Sequence, residues 1–302
     1  MKRREFIKSG VGSAIAAGVA MKVGNYNPLF AMGNPYDLVA VKGGSPDAMF
    51  DKAIASLGGM QAFVKKGQTV VVKPNMGWDV PPERGGNTHP ALIKRIIEHC
   101  YSAGAKSVYV FDNTCDNWQK CYETSGIQKA AKDAGAKVVT GASESNYHEV
   151  EVRQGQVLKK AKVHELILES NVFINVPILK SHSSAKLTVG MKNHMGIVWD
   201  RRFWHRNDLH RCIADFASFK KPDLNVIDAY YVMKRNGPRG VTVDDVVTMK
   251  SQILSRDIVA ADAASAKLFG MEPDDIEYIK LADAMKVGTK DLSKLNINRI
   301  KM

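Results

Sequence analysis

The sequence predicts an open α/β fold with a mostly parallel sheet, helices on both faces and an inserted β-hairpin. Helix-forming segments alternate with short apolar segments along the 302 residues of the chain. The segments at residues 70–72, 108–111, 172–176 and 224–228 are almost continuously apolar. Such segments are typical of strands that are buried on both faces of a parallel sheet. Residues 147–163 alternate polar and apolar side chains around Gln154 and Gly155, which predicts the hairpin.

The individual elements follow from local signals in chain order. Residues 37–44 predict a first strand, and Ser45-Pro46-Asp47 is a helix-start signature for the segment that follows. Further strands are predicted at residues 68–77, 107–113, 137–141, 172–179 and 224–230. Further helices are predicted at residues 89–105, 126–136, 164–170 and 209–220. Residues 244–270 predict a strand followed by a helix.

The first residues predict export by the twin-arginine route. Arg3 and Arg4 precede a weakly apolar segment at residues 10–21, which is shorter than the roughly 20 residues of a membrane-spanning helix. We therefore assign residues 1–31 to a signal peptide and linker and residues 37–302 to a single α/β domain. The expected location is the periplasm or another exported compartment, with the twin-arginine machinery as a partner. A basic N-terminal helix is the alternative, and cleavage after Ala20 or Ala31 stays open.

Composition restricts the classes of ligand. The formal net charge is +12, but the basic residues are spread along the chain without a run of five like charges. This pattern favours small anionic molecules or a membrane surface over nucleic acid. The four cysteines, Cys100, Cys115, Cys121 and Cys212, form no C-x-x-C pair, so no iron–sulfur cluster is expected in this chain. Cys115 and Cys121 are either a local disulfide or two separate thiols.

Polar side chains follow the buried strands at the points where those strands end. Lys73 and Asn75 follow the second strand, Asp112 follows the third, and Asp228 lies at the end of a later one. In open α/β sheets, ligands bind outside the carboxyl ends of the strands. We therefore expect these side chains to line one cleft. The motifs G-x-S-x-G, G-x-G-x-x-G and the P-loop are absent from the sequence, which argues against serine hydrolases, dinucleotide dehydrogenases and nucleotide phosphohydrolases.

The segment KSHSSAKLTVGMKNHMG, residues 180–196, is the densest group of functional side chains. Lysines beside glycine-rich backbone favour phosphate or carboxylate ligands. Lys180 and His182, together with Asp112, are the candidate catalytic residues, since histidine serves as an acid or a base near neutral pH. The candidate substrate-binding residues are Lys73, Asn75, Lys192, Asn193 and His210. A purely structural role, with Lys and Asn side chains capping turns, is the alternative.

Hard cations bind carboxylate oxygens, so Asp228 and Asp262, with Asp112, are the candidate ligands of a divalent cation. The four histidines between residues 182 and 210 match no short metal-binding motif. The identity of a cofactor therefore stays unknown, with a divalent cation as one candidate.

Several motifs together resemble a large family called domain of unknown function three-six-two. The resemblance rests on VVVKPN, THP, VPILKSH, GMKNHMG, NVIDA and ILSRDIVAADAASAKLFG, and it spans roughly residues 68–272. Members are often described as iron–sulfur-centre proteins, and some carry a ferredoxin-like cysteine segment that this chain lacks. Matching the family's motifs implicates Lys73, Asn75, Thr88, Asp112, Lys180, His182, Lys192, Asn193, Gly196, His210, Asp228 and Asp262.

Two functions are consistent with these observations. The first is an exported enzyme with an anion-binding, metal-assisted cleft that acts on a small anionic substrate. The second is a non-catalytic accessory protein that handles a cofactor or transfers electrons without an iron–sulfur cluster of its own. A protein partner is not identified by the sequence.

Overall fold

A ten-stranded mixed sheet forms the centre of the fold, which a computed structural model describes for residues 36–302. The strands, including two of a separate hairpin, are β1 (Leu38–Lys42), β2 (Thr69–Pro74), β3 (Ser107–Val110), β4 (Lys137–Val138), β5 (Tyr147–Glu151), β6 (Lys160–His164), β7 (Val172–Val176), β8 (Ile178–His182), β9 (Lys186–Thr188), β10 (Leu224–Met233), β11 (Val246–Ser255) and β12 (Ile297–Lys301). The α-helices are α1 (Pro46–Ser56), α2 (Pro90–Ser102), α3 (Trp118–Thr124), α4 (Ile127–Asp133), α5 (Glu165–Glu169), α6 (Gly190–Asn193), α7 (Arg201–Arg206), α8 (Leu209–Phe219), α9 (Ile258–Phe269) and α10 (Glu277–Ala284).

The strand order confirms a mostly parallel α/β sheet. The order is β12-β1-β11-β10-β7-β2-β3-β4, and the pairs from β10 through β4 are all parallel. Strand β11 runs antiparallel to both β1 and β10. The predicted hairpin is the separate antiparallel pair of β5 and β6, in which Tyr147 faces His164.

Helices cover both faces of the sheet because successive side chains of each buried strand point to opposite sides. Val70 and Val72 of β2 pack into one core with α1, α2 and α4. Val71, between them, packs into the other core with α8, α9 and α10. The helix starts follow capping chemistry, as the Asp208 side chain accepts a hydrogen bond from the Arg211 N–H at the start of α8.

The segment predicted as one strand at residues 172–179 is divided at Pro177. Proline lacks the N–H that a central strand would donate. Its carbonyl instead accepts a hydrogen bond of 2.9 Å from the Asp228 N–H. Beyond it, β8 pairs with β10 and forms a hairpin with β9, and α6 follows. Residues 180–196 are therefore a hairpin and a short helix.

Some elements were not predicted from the sequence. They are α3, α6, α7, α10, β9 and β12, all of which are short. The predicted signal peptide lies outside the described residues. Among residues 36–302, no helix has the length and the apolar character that crossing a membrane requires.

Candidate functional site

A cavity of about 350 Å³ lies at the carboxyl ends of β2, β3 and β8. Most of the side chains that the sequence predicted for a cleft line this cavity. They are Lys73, Asn75, Asp112, Lys180, His182, Lys192 and Asn193. Within β8, Lys180 and His182 are two positions apart and so share one side of the strand, as a period of two requires. The strand topology thus explains why side chains distant in sequence meet here.

Lys73 is fully buried and held by a carboxylate and an asparagine. Its Nζ lies 2.9 Å from Asp112 Oδ1 and donates hydrogen bonds to the carbonyl oxygen of Asn193 (2.8 Å) and to Asn193 Oδ1 (2.6 Å). Burial lowers the pKa of Lys73, while the Asp112 carboxylate opposes that shift. Asp112 Oδ2 also accepts a hydrogen bond from the Met76 N–H (2.7 Å). Lys73 and Asp112 therefore form a compensated buried pair.

Three asparagines form a hydrogen-bonded network that continues from this pair. Asn193 Nδ2 donates to Asn175 Oδ1 (2.9 Å), and Asn175 Nδ2 donates to Asn225 Oδ1 (3.1 Å). Asn225 Nδ2 then donates to the carbonyl oxygen of Ser255 (3.3 Å). All three asparagines are buried, and connected amide networks of this kind fix the orientation of their members. The network anchors α6, and hence Lys192, to the central strands.

Gly196 is required by a close approach of the backbone to the buried pair. A Cβ atom at this position would lie 1.9 Å from Asp112 Oδ1 and 2.4 Å from Lys73 Nζ. Any larger side chain would therefore displace one of the two charged groups. This contact accounts for the second glycine of the GMKNHMG motif.

Two further lysines face the cavity with less compensation. Lys180 is 1% exposed, and its Nζ donates to the Gly86 carbonyl oxygen (2.6 Å). Burial lowers the pKa of Lys180 to about 7. Lys192 is 9% exposed, and its Nζ forms no hydrogen bond and no ion pair within residues 36–302. Burial lowers the pKa of Lys192 to about 8. Of the described residues that line the cavity, Asp112 alone carries a carboxylate.

His182 is held as a neutral imidazole. Its Nδ1 accepts hydrogen bonds from the N–H groups of Ser184 (3.1 Å) and Ala185 (3.2 Å). Burial and, next, the charges of Lys192 and Lys180 lower the pKa of His182 to about 3. Since Nδ1 accepts, the ring proton of the neutral form lies on Nε2. His182 can therefore donate a hydrogen bond from Nε2.

The other predicted residues lie outside the cavity lining. Asp228 accepts hydrogen bonds from the N–H groups of His89 (2.7 Å) and Tyr230 (3.0 Å). Asp262 accepts from Gly190 and Met191, at the N-terminus of α6. Burial raises the pKa of Asp262 to about 8.

The predicted cation site is not formed in the described structure. Each of its three aspartates accepts hydrogen bonds from backbone N–H groups, as given above. In the described part of the chain, no group of three or more His, Cys, Asp or Glu side chains is placed to hold a metal ion. Asp112 follows β3, Asp228 lies within β10 and Asp262 lies in α9, and the structure does not bring these three carboxylates together. The assignment of Asp228 and Asp262 as cation ligands stays a prediction.

Thr88 and His210 lie outside the cavity lining. Thr88 Oγ1 accepts from the Asn75 N–H (2.8 Å) and donates to the Val176 carbonyl oxygen (2.7 Å), which ties the loop after β2 to β7. The His210 ring stacks on Tyr278 with ring centroids 6.0 Å apart. His210 was predicted to bind substrate, but it is not among the residues that line the cavity.

Cys115, Arg201 and His205 also line the cavity, and the sequence did not predict them as cleft residues. Cys115 is an exposed free thiol and Cys121 a buried one, so the structure has two separate thiols here. Cys115 lies in the loop after β3, three residues beyond Asp112. Applying the strand-end rule to the whole of this loop would have predicted it as a cleft residue. Arg201 donates to the carbonyl oxygens of Asn113 (2.6 Å) and Thr114, and its segment resembled an ordinary solvated turn.

Comparison with known proteins gives the family. A match to the family described as Domain of unknown function (DUF362) covers residues 70–267. The chain belongs to this family. All twelve residues that the resemblance implicated lie within the matched range, so they can be read as DUF362 positions.

Individual relatives of this DUF362 chain are distant. The thylakoid-associated protein of Synechocystis sp. is 24% identical over 247 residues, which are 77% of this chain and 73% of the relative. The lactate racemase apoprotein from Thermoanaerobacterium thermosaccharolyticum has a TM-score of 0.48 and 13% identity, over 76% of this chain and 56% of that one. A protein from Thermotoga maritima has a TM-score of 0.45 and 12% identity, over 80% of this chain and 60% of that one. The chain thus spans less than two thirds of either solved structure.

Proposed function

We propose that this DUF362 protein is an enzyme that binds a small anionic substrate in the cavity lined by Lys73, Lys180 and Lys192. One observation carries the proposal. Three lysines, none more than 9% exposed, face a cavity to which the described residues contribute a single carboxylate. That carboxylate, Asp112, is already paired with Lys73. The positive charge of Lys180 and Lys192 is therefore left for a ligand to balance.

The energetics favour an anion over any neutral ligand. Burial of an uncompensated ammonium is unfavourable, which is why the pKa values of Lys180 and Lys192 fall. A bound phosphate or carboxylate would restore the charged form and accept charge-assisted hydrogen bonds, each contributing about 1.5–3 kcal/mol. The cavity, at about 350 Å³, suits a small molecule.

The geometry also supports distinct chemical roles. Lys180, with a pKa of about 7, is matched to proton transfer near neutral pH. His182 would donate a hydrogen bond from Nε2 to a developing negative charge, in place of the acid–base role expected from sequence. Asn75 Oδ1 is buried without a hydrogen-bond partner among the described residues, and it would accept a hydrogen bond from the substrate.

We further propose that residues 1–31 direct the folded protein out of the cytoplasm by the twin-arginine route. Support comes from the Arg3-Arg4 pair and the short apolar segment that follows it. Export after folding would allow the asparagine network and the lysine cavity to form before translocation.

Ligand-dependent stability tests the anion site. We expect phosphate, sulfate and pyruvate to raise the melting temperature of the wild-type protein and of Lys186→Met, whose lysine is exposed outside the cavity lining. In Lys180→Met and Lys192→Met, the anions should give a much smaller increase. Equal stabilisation of all four proteins would overturn the proposal. A redox-active group that co-purifies with the protein, without anion binding, would favour the accessory-protein function instead.

A further inference from the structure

Lys192 differs from the other two lysines of the cavity in its bonding. Lys73 has Asp112 and Asn193 as partners, and Lys180 donates to a backbone carbonyl. The Lys192 side chain is 9% exposed, and its amine faces the cavity without a hydrogen bond or ion pair from residues 36–302. A lysine with a structural role normally has an acceptor when it is buried. The structure therefore leaves this amine available to a ligand.

The surroundings of Lys192 favour its neutral form. Burial, with the charges of Arg201 and Lys73, lowers its pKa to about 8 from the ordinary 10.5. A neutral amine is a nucleophile, and desolvation beside other cations is a known way to activate lysine toward carbonyl groups. The same cavity holds Lys180, whose ammonium form a bound carboxylate would stabilise, and His182 as a neutral N–H donor for a carbonyl oxygen.

We propose that Lys192 forms an imine with a 2-oxo acid, a small anion in which a carboxylate adjoins a carbonyl group. The Lys192 nitrogen attacks the carbonyl carbon, and its electron pair forms the new C–N bond while the oxygen takes up a proton. The carbinolamine then takes up one more proton from water while the nitrogen gives one up, and the oxygen leaves as water. The products are a protonated imine and one water molecule. This inference rests on the proposed function, since the anion site must first hold the carboxylate.

Reductive trapping tests the imine on the full chain. Pyruvate and sodium cyanoborohydride are added at pH 7.5, and peptide mapping by mass spectrometry follows the adduct on each lysine. We expect Lys192 to be modified more than about tenfold faster than exposed lysines such as Lys129, because its lower pKa leaves roughly a hundredfold more neutral amine at this pH. Acetone, which is neutral, should modify Lys192 far more slowly than pyruvate does.

Two variants separate this inference from the proposed function. Lys192→Arg keeps the positive charge but cannot form an imine, so it should keep anion-dependent stabilisation and lose the adduct. Lys186→Met should retain both. Wild-type protein that is stabilised by pyruvate but shows no enrichment of adduct at Lys192 overturns the imine and leaves the anion site intact. If pyruvate does not label Lys192 and none of phosphate, sulfate and pyruvate stabilises the protein, both proposals fail. The wild-type mapping decides the question even if Lys192→Arg does not fold.

Discussion

Substitution of Gly196 by alanine should break the buried pair at the base of the cavity. The new Cβ would lie 1.9 Å from Asp112 Oδ1 and 2.4 Å from Lys73 Nζ, so one charged group must move away from the other. Disrupting a buried ion pair so that a charge is left uncompensated destabilises a protein by about 3–5 kcal/mol. We therefore expect Gly196→Ala to lose about 3 kcal/mol in the free energy of unfolding, measured by urea denaturation.

Gly77 offers a matched control, because it also lines the cavity. A Cβ there would meet its nearest atoms, Asn75 Oδ1 and Cys115 Sγ, at an ordinary 3.8 Å. Neither glycine has a left-handed φ angle, so backbone strain does not separate the two variants. Gly77→Ala should stay within about 0.5 kcal/mol of the wild type, as is usual for substitutions without a specific clash. A Gly196→Ala protein as stable as Gly77→Ala would refute the reasoning. The effects of Gly196→Ala and Lys73→Met on the free energy of unfolding should be non-additive in the double variant, because both changes act on the same ion pair.

Three further predictions concern charge and reactivity. Because the pKa values of Lys180 and Lys192 fall to about 7 and 8 from 10.5, the unfolded chain binds more protons than the folded one between these values. The free energy of unfolding should therefore rise from pH 7 to about 10.5. The affinity for phosphate should drop about tenfold by pH 9. A phosphate affinity that calorimetry finds independent of pH would contradict this. The ratio of the iodoacetate rate to the iodoacetamide rate should be higher at Cys115 than for a free thiol in solution, because the cavity attracts the anionic reagent. The other cysteines are buried and should stay unlabelled, which provides an internal control. Equal ratios would argue against a cationic cavity. Changing Arg3 and Arg4 to lysine should retain the precursor in the cytoplasm, and undiminished export by cell fractionation would exclude the twin-arginine assignment.

The fold class and most of the cavity could be predicted because each depends on local sequence order. Apolar segments identify buried strands, and the residue that follows a strand is carried to the edge of the sheet whatever the neighbouring strand is. Lys73, Asp112 and Lys180 were found by this rule. The rule does not hold for Asp228, which lies inside β10, or for Asp262, which lies in α9; both carboxylates bond backbone N–H groups. Sequence order does not reveal which N–H groups lack partners, so it could not foresee that these carboxylates cap other segments.

The difference in bonding between the lysines also depends on packing that the sequence does not display. Lys192 lies in α6, and Lys73 bonds the α6 residue Asn193. Asn193 and Asp112 nevertheless accept from Lys73 and not from Lys192. Gly196 decides this outcome, because only a residue without a Cβ allows the Lys73–Asp112 pair to lie against the backbone that follows α6. The one carboxylate that residues 36–302 contribute to the cavity lining is thereby paired with Lys73. Lys192 therefore has either a positive charge or a lone pair available to a ligand. The anion site requires the charge, and the imine requires the lone pair.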